Sequence, residues 1–476
     1  MSLNNLNGCC DDAPTQVKPP FDELRRRRKS KGLRLFELEN PIPAEITDTR
    51  DIQKMFDEFR LVPFATRDKR TGHALLYWYL MLAQLSPMNA ACIEKVKKYV
   101  VGSKAFIERG EDPEFDTGEE RQPVTAMEST RYRDVLNELV AFRGGNRKFH
   151  QNLQWSYDAT GNAYVECSYT VVNGQIRFNL KYRKTTEVLY VATGPGEMRQ
   201  VAISKVWRYD YLKKYPPMIL PVSDAAKGVD GAIWAEGEDG VFRTVFHLKA
   251  GQNDWYGRPE SEGADLYKYR EVQDSIYVIR QSAGNFVGQL IIEVEDDDPT
   301  NNPAINDEDA KRAGFDSFVE RMEDNYTNKG EDPSSVIITA RPAGGRPMFV
   351  FQIKPNTNEN WYKVTGEMSE QRILRAHGLT LRFMGFDAST GFSSDTFIAD
   401  YVMNVEPVLN EKRNTLMNFT NGILTTIWSV AGRDEMNQFS LNFKSPITSQ
   451  IEQFKTMSQT QNGSANINNG GGGIAG

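Results

Sequence analysis

The residues of this chain that are best able to do chemistry are few, and their spacing favours no reactive site. Its four histidines are His73, His150, His247 and His377, and its four cysteines are Cys9, Cys10, Cys92 and Cys167. No two histidines are close in sequence, and neither His150 nor His247 has a second ligand at metal-binding spacing. The cysteines form neither a Cys-x-x-Cys pair nor a disulfide framework, which favours a reduced intracellular setting. We therefore expect no metal site, no cofactor and no catalytic thiol.

Motifs for phosphate binding and nucleophilic catalysis are also missing from the sequence. It contains no Gly-x-x-x-x-Gly-Lys-Ser/Thr loop, no Gly-x-Ser-x-Gly elbow and no His-Glu-x-x-His helix. The run Thr193-Gly194-Pro195-Gly196 could imitate a phosphate loop, but Pro195 lacks a backbone N–H, so a β-turn is the better interpretation. An enzyme of unrecognised fold would need titratable groups that converge from distant positions, and we locate none. The sequence favours a protein that is not an enzyme.

Acidic residues are concentrated in one part of the chain. Residues 288–332 hold fourteen Asp and Glu against four Lys and Arg, a local net charge of −10. The whole chain carries −7, so the remaining residues carry about +3. No Asp-x-Asp-x-Asp-Gly loop with a distal Glu is present, so a solvated acidic face is favoured over a calcium site. The negative total also argues against a generally basic nucleic-acid clamp.

The two ends and the apolar runs limit the class of protein further. The longest apolar run, residues 74–85, is too short to span a bilayer, so we expect no membrane role. The first residues have no secretory signal. Residues 1–33 predict a mobile arm, whose run Arg25-Arg26-Arg27-Arg28-Lys29 is either a phosphate-seeking patch or, as we favour, a solvated segment.

Hydrophobic periodicity predicts several lobes in a chain of 476 residues. Helices are predicted over 47–60, 77–101 and 131–142, with a break at Ser86-Pro87, a cap at Asn89 and an end at Gly102. Strands are predicted over 161–167, 176–182, 187–192, 200–209 and 241–248. Cys92 falls on the apolar stripe of its helix, so we expect a core residue there.

The turn at residues 254–260 is the point around which the chain is organised. Pro259 suits a helix start, Gly257 can adopt positive φ, and Glu260 brings negative charge to a helix N-terminus. Trp255, Tyr256, Gly257 and Pro259 are therefore predicted to form a structural hinge between two bodies. A long helix with one apolar stripe is predicted over 262–287.

The rest of the chain predicts a small lobe and a second pair of helices. A strand at 289–294, a helix from 307 to 322, and strands at 335–340 and 348–353 form the lobe. A helix at 368–384, a polar loop at 385–397 and a helix at 398–427 kinked at Pro407 follow. Long amphipathic helices predict an elongated subunit that buries its apolar faces against other subunits.

Four stretches, taken in order, resemble the portal proteins of tailed bacteriophages and cover about residues 88–415. They are Cys92-Ile93-Glu94-Lys95-Val96 with its end at Val100-Val101-Gly102, Gly161-Asn162-Ala163-Tyr164-Val165-Glu166, Tyr256-Gly257-Arg258-Pro259, and Arg372-Ile373-Leu374-Arg375-Ala376-His377-Gly378-Leu379 followed by Met384-Gly385, Gly391-Phe392-Ser393 and Glu406-Pro407. The chain departs from that family at 260–263, which is polar where an aromatic residue is common, and at Thr380, where many members have proline.

This resemblance implies an α+β fold of the elongated portal type, with an α/β wing, a helical stem, a small α/β clip and little or no helical crown. The implied parts are a basic arm at 1–33, the wing at 34–260, stem helices at 261–287 and 368–384, the clip at 288–367, a tunnel loop at 385–397, a kinked helix returning to the wing at 398–432, and a crown remnant with a disordered tail at 433–476.

The resemblance also implies a function and partners. It predicts a homo-oligomeric, dodecameric ring at one capsid vertex of the virion, assembled in the host cytoplasm, through which double-stranded DNA is packaged and ejected. Its implied partners are the terminase large subunit, a head-completion adaptor, a major capsid or scaffold protein, and DNA bound without sequence specificity. A ring-forming capsid or tail connector without DNA gating is the alternative.

Two sets of residues are predicted to make the contacts of such a ring. The tunnel loop would present Ser389, Thr390, Phe392, Ser393, Ser394 and Asp395 to DNA. The clip would use Asp296, Asp297, Asp298, Glu308 and Asp309, either facing the channel or docking a basic partner. Acidic walls suit a channel for moving DNA, because each Lys or Arg contact with phosphate would add affinity that slows sliding.

Overall fold

The fold is α+β. A computed structural model describes residues 49–64, 74–102, 104–109, 123–194, 199–251, 255–284, 290–296, 336–342, 359–385 and 394–447. These residues divide into two compact units. The larger unit takes in the described residues of 49–273 and 360–447, and the smaller takes in those of 274–359. Among the described helices, none combines the length and the hydropathy of a membrane-spanning segment.

The described helices are interspersed with the strands along the chain. They are α1 (Thr49–Glu58), α2 (Ala74–Leu85), α3 (Pro87–Val101), α4 (Ala126–Leu139), α5 (Asn146–Thr160), α6 (Tyr209–Lys214), α7 (Asp265–Gly284), α8 (Glu359–Ala376), α9 (Leu381–Met384), α10 (Ser394–Asp400) and α11 (Glu406–Val430). Short 3₁₀ turns occupy Thr185–Glu187, Ala225–Gly231, Glu260–Ala264 and Asp434–Gln438, and Tyr401–Val405 is a π-helix.

In the described part of the chain, the strands form one large mixed sheet and two small ones. They are β1 (Ala105–Arg109), β2 (Val140–Phe142), β3 (Asn162–Val172), β4 (Gln175–Arg183), β5 (Val188–Val191), β6 (Gln200–Ile203), β7 (Met218–Ser223), β8 (Ala235–Glu236), β9 (Phe242–Lys249), β10 (Leu290–Asp296), β11 (Val336–Pro342) and β12 (Phe439–Phe443). The large sheet has the order β2-β4-β3-β9-β7-β6-β5, with β8 paired to β9. The β2–β4 and β7–β9 pairs are parallel and the others antiparallel.

Strands β3 and β9 separate two apolar cores of the larger unit. Successive side chains of a strand point to opposite faces, so Ala163 and Val165 enter one core and Tyr164 enters the other. On β9, Phe246 joins the first core and Val245 the second. The first core is completed by α3, α4, α5 and α11, and the second by α1, α2 and strands β5 to β7. Both faces of these central strands are therefore buried.

The predicted helix pair at 77–101 is confirmed, with one correction at its cap. Ser86, rather than Asn89, is the N-cap residue of α3, and Pro87 occupies the first turn, where its missing N–H costs nothing. Asn89 lies inside the helix and is buried. Cys92 is fully buried, as expected of a core residue.

The region around residue 140 was partly mispredicted from sequence. The predicted helix at 131–142 begins earlier and ends at Leu139, and its last three predicted residues form β2. Sequence reasoning missed α5, because polar His150, Gln154 and Asp158 obscure its apolar face. All three are buried, so only tertiary contacts reveal why polar residues lie there. The predicted strand at 200–209 is also shorter, because β6 ends at Ile203, and Tyr209 begins α6.

The predicted helix at 368–384 is two helices separated at Gly378. The N–H of Leu379 donates to the Leu374 carbonyl at 3.0 Å, and that of Gly378 donates to Arg375 at 3.1 Å. With Gly378 at φ +65°, this is the Schellman arrangement that ends a helix. Helix α8 also starts nine residues before the predicted position.

The predicted kink near Pro407 is a change of helix type. The π-helix Tyr401–Val405 joins α10 to α11, and Pro407 lies in the first turn of α11. A π turn holds an extra residue, so the helix axis is offset there.

The described part of the smaller unit contains the β10–β11 pair. The two strands are parallel, with Leu290 opposite Val336 and Asp296 opposite Pro342. Parallel neighbours need a crossover connection of a dozen or more residues. The predicted helix at 307–322 and strand at 348–353 lie outside the described residues.

Candidate functional site

The residues predicted for DNA and partner contacts fall mostly outside the described part of the chain. This applies to Ser389, Thr390, Phe392 and Ser393 of the tunnel loop and to Asp297, Asp298, Glu308 and Asp309 of the clip. Ser394 and Asp395 begin helix α10, and Asp296 ends strand β10. The contacts predicted for these residues stay predictions. The four predicted hinge residues, Trp255, Tyr256, Gly257 and Pro259, are described.

Tyr256 anchors this turn to the edge of the large sheet. Its hydroxyl accepts the backbone N–H of Tyr190 at 2.8 Å and donates to the Val62 carbonyl at 2.9 Å. Tyr190 lies on β5, the outermost strand of the sheet order, and its carbonyl accepts the Val62 N–H at 2.9 Å. The buried Tyr256 hydroxyl therefore satisfies the Tyr190 N–H at this strand edge and links it to the segment at Val62.

Gly257 is required by space, not by its own backbone angle. The sequence predicted a use of positive φ, but Gly257 is absent from the positive-φ residues of the described chain. A Cβ at Gly257 would lie 2.1 Å from the Gly161 carbonyl oxygen. Gly161 has φ +72°, and a Cβ there would lie 2.3 Å from the carbonyl carbon of Arg258. Two glycines thus allow two backbones to touch.

Asn162 locks this close approach with all of its side-chain hydrogen-bonding capacity. Its Oδ1 accepts the Gly257 N–H at 2.7 Å, and its Nδ2 donates to the carbonyls of Gly257 at 2.9 Å and Thr160 at 2.7 Å. The same Oδ1 lies 2.9 Å from His247 Nε2, which must therefore carry the proton. A buried amide with every donor and acceptor paired specifies one geometry.

The assigned tautomer of His247 completes the network. With Nε2 protonated, Nδ1 accepts a hydrogen bond from the Tyr190 hydroxyl at 2.7 Å. The imidazole stacks on the Tyr164 ring with a centroid distance of 4.3 Å. Burial, with Lys249 nearby, lowers the pKa of His247 to about 3. The ring is therefore neutral at physiological pH and acts as a structural bridge.

A second, charged cluster holds the other end of the turn. Lys412 on α11 donates to Asp158 on α5 at 3.0 Å and to Glu260 in the 3₁₀ turn before α7. Gln154 donates to the second oxygen of Asp158 at 2.8 Å. Burial lowers the pKa of Lys412, but the carboxylates of Asp158 and Glu260 outweigh it and raise that pKa above its ordinary value. Lys412 is therefore charged.

The start of α7 is attached to α2 and α3 by polar groups as well. Tyr79 donates to Glu262 at 2.6 Å, and the N–H of Met88 donates to Glu271 at 3.3 Å. Glu271 also accepts the Ser86 hydroxyl, so its carboxylate caps the N-terminus of α3. Lys268 is buried and donates to Ser261 and Asp265. These contacts set the rotation of α7 about its own axis.

His377, at the end of α8, joins the same region. Its Nε2 lies 2.7 Å from Asn89 Oδ1, and Asn89 donates to the Leu82 carbonyl at 3.0 Å. Burial, with Lys268 and Lys412 nearby, lowers the pKa of His377 to about 3. His377, which lies 288 residues away in the chain, thus explains why the polar residue Asn89 is buried in α3.

Together these contacts position helices. Burial raises the pKa of the Cys92 thiol to about 12 and also raises that of Cys167, so neither thiol is poised as a nucleophile. Within the described ranges, no group of three or more His, Cys, Asp or Glu is arranged to hold a metal ion. The predicted role of these residues as a structural hinge between two bodies stays a prediction. The observed contacts of Tyr256 and Gly257 hold the turn at residues 255–260 in one place, and we call this turn with its contacts the seat.

Comparison with known proteins gave structural matches alone. No family model matches the chain, and no curated protein matches it. The chain is similar to solved chains of gene transfer agent particles. A chain of the virion of a native particle has 13% identity and a TM-score of 0.43, with 87% of this chain and 93% of that chain covered. A chain from the neck of an empty particle, computed with C6 symmetry, has 14% identity and a TM-score of 0.44, with 90% and 97% covered. One from the neck of a native particle, computed with C12 symmetry, has 13% identity and a TM-score of 0.41, with 81% and 85% covered.

Sequence reasoning singled out Tyr256 and Gly257 but missed the network of Asn162 and His247 that holds Gly257. It also missed the buried pair of Asp158 and Lys412, to which Glu260 is attached. One signal was available for Lys412. It stands among Leu409, Leu416 and Ile423 at helical spacing, on the stripe of α11 that is buried. A charged residue on such a stripe predicts a buried ion pair, although its partners cannot be read from the chain.

Replacing Tyr256 by phenylalanine tests the uncharged part of the seat. The change removes one hydroxyl and leaves the Tyr190 N–H and the Val62 carbonyl without it, so we expect a loss of about 1 to 3 kcal/mol in the free energy of unfolding. Urea denaturation would measure it. Tyr215→Phe is the matched control, because the Tyr215 side chain is exposed. Equal stability of the two variants would contradict a supporting role for the Tyr256 hydroxyl.

Three buried histidines predict that the larger unit loses stability in mild acid. Burial lowers the pKa of His150 to about 4, and those of His247 and His377 to about 3. The unfolded chain takes up protons near the ordinary histidine pKa of about 6.5 while the native state does not. Their contribution is thus complete above about pH 6.5 and is lost as pH falls to about 4 for His150 and to about 3 for His247 and His377. The loss is about 2 kcal/mol per histidine at pH 5.

Denaturation curves between pH 7 and pH 5 would measure this dependence. His377→Gln keeps an N–H donor for Asn89 but cannot titrate, so its curve should be flatter by about one proton. An unchanged slope in this variant would show that His377 already takes up a proton in the native state.

Proposed function

We propose that this chain is the subunit of a portal-type ring, a structural protein of a phage-like particle at the junction of head and tail. The observation that carries the proposal is the order of the portal-like stretches and the elements on which they fall. They occupy, in turn, helix α3 and its end at Gly102, strand β3, the seated turn before α7, the Schellman end of α8, and the start of α11.

The contacts of these stretches support a scaffolding role. Gly161 and Gly257 permit a backbone crossing, Tyr256 closes a strand edge, and His377 with Gly378 ends a helix against α3. Each of these residues sets the direction of an element. A subunit that must fit copies of itself needs residues that fix the directions of its helices and strands. We also propose that this chain is not an enzyme.

The finer parts of the proposal come from the resemblance and from charge. We infer that the ring stands at a capsid vertex and passes double-stranded DNA, while a separate terminase supplies the motor. The acidic residues of 288–332 support a clip that either lines the channel or meets a basic terminase or adaptor surface. Residues 385–397 would form the tunnel loop.

Electron microscopy of the purified protein tests the proposal. Class averages viewed along the symmetry axis should show a closed ring near twelve-fold symmetry. Its central hole should be wide enough for duplex DNA, roughly 20 Å or more across, which exceeds the width of about 12 Å of the major groove. A closed ring with a hole too narrow for duplex DNA would favour the alternative, a connector that does not gate DNA. A protein that stays monomeric at high concentration would overturn both.

A further inference from the structure

The three members of the Lys412 cluster differ sharply in exposure. The side chains of Lys412 and Asp158 are 6% and 1% exposed, whereas that of Glu260 is 54% exposed. Water therefore reaches one member of the cluster and not the other two. Glu260 is also the member that belongs to the 3₁₀ turn leading into α7, while the buried pair belongs to α11 and α5.

The buried pair is complete in charge without Glu260. Lys412 and Asp158 cancel each other, and the second oxygen of Asp158 is already satisfied by Gln154. Removing either member would leave an unpaired charge in the interior, which is costly. Removing Glu260 leaves a neutral pair, and water at the exposed end can take its place at the Lys412 ammonium.

We infer that Glu260 is a releasable latch between the turn before α7 and helix α11. When the Glu260–Lys412 contact opens, Glu260, the first residue of its 3₁₀ turn, loosens from α11, while Ser261 and Ala264 stay buried and both helices stay folded. The release is confined in the chain, because Gly257 remains held by Asn162 through separate hydrogen bonds. It also leaves the link from Glu262 to Tyr79 and the contacts of Lys268 and Glu271 in place, so α7 keeps its position.

The exposure of Glu260 explains why its contact with Lys412 can open and close readily. An ion pair whose carboxylate is half exposed is worth little, because solvent screens it and replaces it. The surrounding contacts do not share this property, since Asn162 and the Asp158–Lys412 pair are buried. The seat therefore has a fixed part around Gly257 and an exchangeable part at Glu260.

Hydrogen exchange of the intact protein, followed by mass spectrometry, tests the latch with Glu260→Gln. The reporting amides are those of Glu262, which donates to Pro259, and Asp265, which donates to Glu262. The Gly257 amide, bonded to Asn162, is the internal reference. Glu238→Gln removes the same charge from an exposed residue and is the matched control.

In Glu260→Gln we expect exchange in a peptide covering 258–268 to be about two- to fivefold faster, the change expected for one half-exposed ion pair. Exchange in a peptide ending at 257, and the urea midpoint, should match the Glu238→Gln control. Unchanged exchange at 258–268 would show that Glu260 holds nothing. A lower urea midpoint with faster exchange in both peptides would show that Glu260 is an integral part of the fold. Both readouts concern the folded subunit, so they are independent of whether it forms a ring.

Discussion

Gly257→Ala is expected to lower the free energy of unfolding of the larger unit by about 3 kcal/mol or more, the scale of severe overpacking. The added Cβ would lie 2.1 Å from the Gly161 oxygen, 2.7 Å from the Ala250 nitrogen and 2.8 Å from the Ala250 oxygen. All three are backbone atoms, and the Ala250 N–H donates to that same Gly161 oxygen at 2.9 Å. Relief would therefore require two chain segments to move apart, which would also pull Gly257 away from Asn162.

Gly263→Ala is the matched control for this experiment. Gly263 lies six residues further on, in the 3₁₀ turn, and a Cβ there would meet nothing within 4 Å. We expect its effect to stay within about 0.5 kcal/mol. Urea unfolding followed by circular dichroism would compare the two variants. If both unfolded at the same urea concentration, the turn would have to relax without strain, and the seat described above would be wrong.

Lys412→Met is expected to cost about 3 to 5 kcal/mol, because it leaves Asp158 buried without its counter-charge. Asp158 would retain the hydrogen bond from Gln154, but its side chain is 1% exposed, so water cannot solvate the carboxylate. Methionine has a similar length and flexible shape, so loss of packing contributes little.

A double variant separates charge from volume at this site. Asp158→Asn combined with Lys412→Met removes both buried charges, and an amide at position 158 can still accept from Gln154. We expect it to recover more than half of the stability lost in Lys412→Met, as replacement of whole buried ion pairs often does. Lys213→Met, at an exposed lysine, controls for the substitution itself. A double variant as unstable as the single one would mean that shape, not charge, holds α5 to α11.

The contrast between Glu260 and Asp158 shows how much burial decides. Both are carboxylates bonded to one ammonium group, yet we expect loss of the first to loosen a single turn and loss of pairing at the second to destabilise the whole unit. Solvent access cannot be read from the sequence. It decides whether loss of a carboxylate contact loosens one turn or destabilises the whole unit.

The sequence by itself determined the α+β class, most helix and strand positions, the core role of Cys92 and the importance of the turn at Tyr256 and Gly257. These follow from local rules, since periodicity, glycine, proline and capping residues act over a few positions. It also carried the ordered resemblance on which the proposed function depends.

Only the tertiary structure decided why these residues stand where they do. It showed that Gly257 is a glycine because Gly161 lies against it, that Asp158 of α5 is buried because Lys412 on α11 pairs with it, and that His377 meets Asn89 across 288 positions. Such pairings join segments far apart in the chain, and the cost of burying a polar group is repaid only when its distant partner arrives. No local pattern can name that partner.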